Sequence, residues 1–351
     1  MTSELAIANS AAINKDNGLP PETLAELPIL LLNVHEQCNC RCLMCDIWQR
    51  TGGKELDLAE FSRQHESILR LGVQQVVLTG GEPLMHRNLE PLCRFFRQSG
   101  IRITLLTTGL LLSKRVSLVS EWIDDIIVSI DGPEEVHDRI RRVKGAYRLL
   151  ADGVQAIKSR NEKIGIAGRC TVQNENHRML RKTVLAAKAL ALDSISFLAV
   201  DLTSQAFNRD VVWPEGRQNG VALTREETVA LDEEVRLLIR EHTDDIRSHY
   251  IVESENKLSR IVRRFWEHLG DMQSVSPPCN APWASAVMEV DGSVRPCFFH
   301  GSIGSTRTET LEQVINGEKA RQFRVSLNIG ENSVCQRCVC SLDYKWRKNS
   351  P

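Results

Sequence analysis

Residues 36–48, EQCNCRCLMCDIW, hold four of the chain's 11 cysteines within eight positions. Cys38, Cys42 and Cys45 form a CxxxCxxC spacing, with Cys40 as an extra thiol between the first two. Three thiolates are one too few to close a tetrahedral zinc site, but they can hold three corners of a cubane iron–sulfur cluster. The fourth iron is then open to a small chelating ligand and can pass it an electron. A zinc knuckle using Cys38, Cys40, Cys42 and Cys45 is the alternative that the spacing leaves open.

Five more cysteines, Cys279, Cys297, Cys335, Cys338 and Cys340, fall in PPCNAPW, DGSVRPCFF and CQRCVCS. The Asp-Gly pair in MEVDGSVRPC predicts a hairpin that returns Cys297 to the side of Cys279. Two separated cysteines followed by a CxxC pair suit an iron–sulfur cluster or zinc. Cys279, Cys297, Cys335 and Cys338 make one complete set, with Cys340 as a substitute for Cys338, a ligand in another redox state, or a buried thiol. Cys93 falls in a helical pattern and Cys170 alternates away from Arg169 on a strand, so both are expected in the core.

These thiols need a scaffold, and the intervening sequence supplies alternating strand and helix signals. LPILLLNV (27–34), QQVVLT (74–79), IRITLLTT (101–108), DDIIVSI (124–130), KIGIAGRCTV (163–172) and SISFLAV (194–200) read as strands. Helical spacing follows them at 58–72, 88–98, 112–122, 145–159 and 177–191. Strands each followed by a helix argue for a parallel sheet of βαβ units, curled by right-handed crossovers into a partial (β/α)6 barrel. Functional residues then belong at the carboxyl ends of the strands. From 201 the rhythm breaks into a loop, 201–220, expected over the barrel mouth. Helices follow at 223–242, opened by a Thr224/Glu227 capping box, and at 258–270, stopped by Gly270. The expected organisation is a loosely ordered lead to 27, a barrel at 28–200, a connection at 201–275 and a small metal-organised domain at 276–351.

The cysteine spacing combined with the strand-end motifs resembles the radical S-adenosylmethionine (radical SAM) superfamily. GGEP at 80–83 follows the second strand, TTG at 107–109 ends the third, and SIDGPEEVHDRIRRVKGAY at 129–147 follows the fourth. The resemblance implies that Gly80, Gly81, Glu82 and Pro83 lie along the methionyl group of the cofactor, near Thr108, with Ser129 and Asp131 near its ribose. It also implies a SAM-binding [4Fe-4S] cluster on Cys38, Cys42 and Cys45, reduced by an external donor such as flavodoxin or ferredoxin. Glu82 is further expected to orient the cluster loop. Arg169, on the fifth strand beside Thr171, is placed to pair with the cofactor carboxylate if that face points inward. Met44 stands where the family usually has an aromatic residue. The C-terminal cysteines resemble SPASM or twitch extensions, whose full pattern has seven cysteines for two clusters. Five cysteines favour one auxiliary [4Fe-4S] cluster.

The implied reaction is reductive cleavage of SAM to a 5'-deoxyadenosyl radical that takes hydrogen from a substrate, with net oxidation or rearrangement. A sugar or natural-product intermediate is the expected substrate, because only about 27 residues precede the first strand, too few for a folded leader-binding module. Maturation of a ribosomally made peptide is the alternative, and a non-catalytic iron–sulfur or zinc protein a further one. The 44 Lys and Arg balance 45 Asp and Glu, so a net charge of −1 offers no bulk attraction for nucleic acid or anionic membrane. With Lys15 alone basic in the first 27 residues and no long apolar run, the chain reads as cytoplasmic.

Overall fold

The computed structural model describes residues 22–207, 209 and 211–346. Most of the expected N-terminal lead lies outside them; where description begins, Leu24 and Leu27 are already in the main core.

Six parallel strands, β1 (Ile29–His35), β2 (Gln75–Gly80), β3 (Arg102–Thr107), β4 (Asp125–Ser129), β5 (Gly165–Val172) and β6 (Ser194–Ala199), lie side by side in sequence order. Each is short and rich in aliphatic residues, and alternate residues are fully enclosed. Leu30, Leu32 and Val34 of β1, Ile126 and Val128 of β4, and Ile166, Cys170 and Val172 of β5 join one core with the surrounding helices. The opposite face carries partly exposed side chains, including Asn33, Ser129, Arg169, Thr171 and Ser196. That alternation puts Arg169 and Thr171 on one face and Cys170 on the other.

The sheet does not close into a barrel. Beyond β1 it continues through β7 (Ser285–Met288), which pairs with β1 in parallel, then through antiparallel β8 (Ser293–Arg295) and β9 (Gly304–Ser305). The cysteine-rich C-terminal region is thus joined to the parallel sheet by a backbone ladder. Its hairpin turns at Gly292, whose φ of 81° suits glycine.

Two sequence expectations are revised. The 58–72 helix is two helices, Leu58–Ser62 and His65–Arg70, broken where the buried Gln64 side chain donates to Thr306 O at 3.1 Å and accepts from Leu311 N at 2.7 Å. A long-range polar tie overrides the helical period. The C-terminal region is also built on apolar packing: helices Leu311–Asn316 and Glu318–Ser326 bury Leu311, Val314, Ile315 and Ala320 in the main core. The Thr224/Glu227 capping box forms as read, opening helix Arg225–Glu241.

Candidate active site

The loop after β1 is held against the ends of its neighbours by main-chain bonds. Gly81 N donates to His35 O and Glu82 N to Gln37 O, each at 2.8 Å. On the other side Arg41 N donates to Arg141 O and Leu43 N to Ile140 O, each at 3.1 Å, docking the loop on helix Glu134–Arg141. Gly81 has to be glycine: a Cβ there would sit 1.9 Å from Gln37 O.

Within this frame Cys40 and Cys42 form a small apolar nest with Leu110 and Ala146, against which Cys38, Met44, Cys45 and Val143 pack. The nest is separate from the main core. Cys42 is held down to about 7, first by a hydrogen bond from the Cys40 thiol and then by the Arg141 guanidinium, whose Nη1 donates to Cys42 Sγ at 3.5 Å. The Cys40 thiol, hydrogen-bonded to Cys38 and Cys42 and buried, is pushed up, as suits a protonated neighbour. Burial raises Cys45 to about 12, so its thiolate has to be stabilised by what it binds.

Among the described residues no three His, Cys, Asp or Glu side chains converge as they would on a single metal ion. A cubane holds its irons at separate corners, and three soft thiols around an apolar nest, with the Arg141 and Arg209 guanidinium groups nearby, fit such a cluster by donor type and charge.

The GGEP turn braces the nest. Glu82 is fully enclosed, and its carboxylate accepts from the Thr107 hydroxyl, Thr108 N and the Thr108 hydroxyl, each at 2.7 Å, and from Leu84 N at 3.0 Å. Burial raises its pKa, while those four donors oppose the shift. The Glu82 carboxylate therefore ties the end of β2 to the end of β3. Pro83 is buried at the start of the turn that follows. Thr108 lies 3.0 Å from the Asn39 side-chain amide, which links the third strand to the cluster loop.

Asp131, expected near a ribose, is closed off from solvent. Its Oδ2 accepts from Arg141 Nε at 2.6 Å and its Oδ1 from Thr171 N at 3.3 Å. Ser129, Arg169 and Ser196 stand abreast on β4, β5 and β6, and Arg169 Nε lies 3.4 Å from Ser196 Oγ.

His137 packs beside this pair with its Nδ1 accepting from Asp131 N at 3.2 Å and its buried Nε2 without a partner. Burial lowers its pKa from 6.5 to about 4. Between those values the unfolded chain binds the proton and the folded chain does not, so stability is lost as pH falls from about 6.5 to 4. The full difference is worth about 3 kcal/mol. Urea unfolding across that window should show a shallower pH slope in His137→Gln than in the wild type; equal slopes would refute the assignment.

Cys279, Cys297, Cys335 and Cys338 line one apolar cavity together with Phe299 and His300. Burial raises Cys297 and Cys335 to about 11. Asn332 caps Cys335 N at 3.1 Å, and His300 Nε2 lies 3.5 Å from Cys335 Sγ. Cys340 does not line the cavity: it is exposed, in the field of Arg169 and Asp201, and its carbonyl accepts from the Cys338 thiol.

The loop after β6 reaches the nest. Arg209 Nη2 donates to Met44 O at 3.3 Å, Arg217 Nη2 donates to Leu43 O at 2.7 Å, and Trp213 Nε1 donates to Asp46. Trp213 is flanked by both guanidinium groups, 3.7 and 4.5 Å from its ring centroid. Arg141, Asn39, His300 and these loop residues were not marked by any spacing in the sequence; their roles come from contacts between distant segments.

The radical SAM superfamily profile matches residues 32–186, and the profile of the SPASM iron–sulfur cluster-binding domain matches 279–339. The chain belongs to the radical SAM superfamily. It is 24% identical to the Fe-coproporphyrin III synthase of Methanosarcina barkeri over 91% of this chain and 84% of that one. It is 25% identical to the PqqA peptide cyclase of Ruegeria pomeroyi over 92% and 82%. Two further curated relatives are matched over only 38% and 52% of their length. Among solved structures, native anSMEcpe with bound AdoMet shares the fold with a TM-score of 0.61 at 18% identity, over 84% of this chain and 82% of that one. As a radical SAM enzyme with a SPASM domain, the chain uses SAM, a [4Fe-4S] cluster and auxiliary iron–sulfur chemistry. Among the described residues no helix is long and apolar enough to cross a membrane.

Proposed function

We propose that this enzyme oxidises a compact small molecule by two electrons, one leaving with an abstracted hydrogen and the other passing to a single auxiliary cluster. The observation that carries the reading is the cavity lined by Cys279, Cys297, Cys335 and Cys338, with Cys340 outside it. Four thiolates fill four corners of a cubane, which leaves no iron for substrate and favours electron acceptance.

Cys38, Cys42 and Cys45 hold the SAM-binding cluster in this reading, and SAM bound to its open iron supplies the hydrogen-abstracting radical after reduction by an external donor such as flavodoxin or ferredoxin. Gly80 and Gly81 let the backbone approach the methionyl group, and Arg169 with Ser129 offers charge and hydrogen bonds on the open face. Glu82 and Asp131 are braces. The loop carrying Arg209, Trp213 and Arg217 is fastened to Met44, Asp46 and Leu43 beside the nest, which supports a compact substrate in this reading.

Peptide maturation is the second reading, favoured by the relation to PqqA peptide cyclase over 92% of the chain.

Anaerobic reconstitution with iron and sulfide tests the assignment. Wild type should take up roughly eight irons per chain, for two four-iron clusters. Cys335→Ala should lose about half of them yet still form 5'-deoxyadenosine with dithionite and SAM. Loss of deoxyadenosine in that variant would refute separate sites; an unchanged iron content would refute the auxiliary ligand set.

A further inference from the structure

Helix Glu134–Arg141 ends against the cluster loop, and its last residue spans two partners. The Arg141 guanidinium, almost wholly enclosed, donates from Nε to Asp131 and from Nη1 to the Cys42 sulfur. The backbone makes the same junction, since the carbonyls of Ile140 and Arg141 accept from Leu43 N and Arg41 N on either side of Cys42. Asp131 is fixed in turn by Thr171 N at its carboxylate and by the Asn176 side chain, which donates to its carbonyl at 3.0 Å. One fork of a rigid cation is thus anchored from behind while the other points at a thiol.

We propose that Arg141 is a positioning residue that sets the reduction potential of the SAM-binding cluster through the Cys42 thiolate, with Asp131 holding it in place. The proposal rests on the assignment of Cys38, Cys42 and Cys45 as ligands. Reduction adds negative charge to a cluster already ringed by thiolates. A buried guanidinium that donates to one of those sulfurs stabilises the added electron and raises the potential. Asp131 is what makes this possible without a loose cation: it balances the buried charge and, by taking Nε, leaves Nη1 to the Cys42 sulfur. Asp131 and Arg141 sit ten positions apart in the segment SIDGPEEVHDRIRRVKGAY, so one motif delivers both halves of the device.

Arg141→Met alone would leave Asp131 charged and unpaired and risks misfolding, so the informative variant is Arg141→Met with Asp131→Asn. That pair removes both charges and keeps an acceptor for Thr171 N. Each protein, further carrying Cys335→Ala to silence the auxiliary signal, is reconstituted and titrated potentiometrically without SAM, with the reduced cluster read by electron paramagnetic resonance. At the midpoint of the parent, the ratio of reduced to oxidised cluster should fall about ten-fold in the double substitution, a shift of about 59 mV for one electron. Arg141→Lys, which keeps the charge but cannot span both partners, should shift in the same direction by less. An unchanged or raised midpoint in the double substitution overturns the proposal. A parent protein that takes up no N-terminal cluster would overturn the ligand assignment itself, and this inference with it.

Discussion

Gly81→Ala is expected to abolish cluster loading while leaving the remainder of the chain folded. The new methyl would lie 1.9 Å from Gln37 O, 2.3 Å from its carbonyl carbon and 3.0 Å from Cys38 N, and all three are backbone atoms that no rotamer change can move aside. Relief requires the cluster loop to lift from the β2 end, breaking the bonds from Gly81 N to His35 O and from Glu82 N to Gln37 O. Overpacking and the lost bonds together cost about 3 kcal/mol or more. Gly216→Ala is the control, since a methyl there meets nothing within 4 Å. Iron content after anaerobic reconstitution and the thermal midpoint are the measurements. Wild-type iron with a midpoint within ~2 °C would show that the loop tolerates the methyl and that the turn does not position Cys38.

Cys42→Ala is expected to reduce 5'-deoxyadenosine formation to background. The loss should exceed the roughly 10- to 100-fold that follows removal of a hydrogen-bond partner outside the ligand set, because a ligand itself is gone. Cys42 is the thiol placed to bind first, being held near 7 while burial raises Cys45 to about 12. Cys40→Ala should retain the iron, since Cys40 is read as the protonated donor and not a ligand. Full deoxyadenosine yield from Cys42→Ala, or iron loss from Cys40→Ala, would reverse the roles of the two cysteines.

The six strands were legible because each is a short apolar run ended by turn residues, and the structure moves their bounds by only one or two positions. The N-terminal cysteine group was legible for the same local reason, its spacing being written within eight positions, whereas Cys279 and Cys297 stand far from the CxxC pair that the fold brings beside them. What sequence did not reveal was where side chains spend their polar groups. The resemblance alone set Asp131 and Glu82 near a cofactor, and it gave no hint that their carboxylates are held by Arg141 and by Thr107 and Thr108. Gln64 read as a helix interior residue, but its amide is claimed by a segment more than 240 positions away. Arg141 lies inside the 129–147 motif, but nothing in that motif pointed to Cys42, which is 99 positions distant. Each miss is a non-local contact overriding a local pattern.

The pairing of β7 with β1 over Ile29–Leu32 and Ser285–Met288 bears on how the enzyme could be divided. A protein trimmed before residue 285 would strip the first strand of its outer neighbour, baring a ladder of unpaired amides and carbonyls beside fully apolar side chains. Such a rim invites strand-by-strand association between chains. The auxiliary module is therefore a seam in the parent sheet and not a detachable cap, so grafting it between relatives would require carrying the first strand along with it.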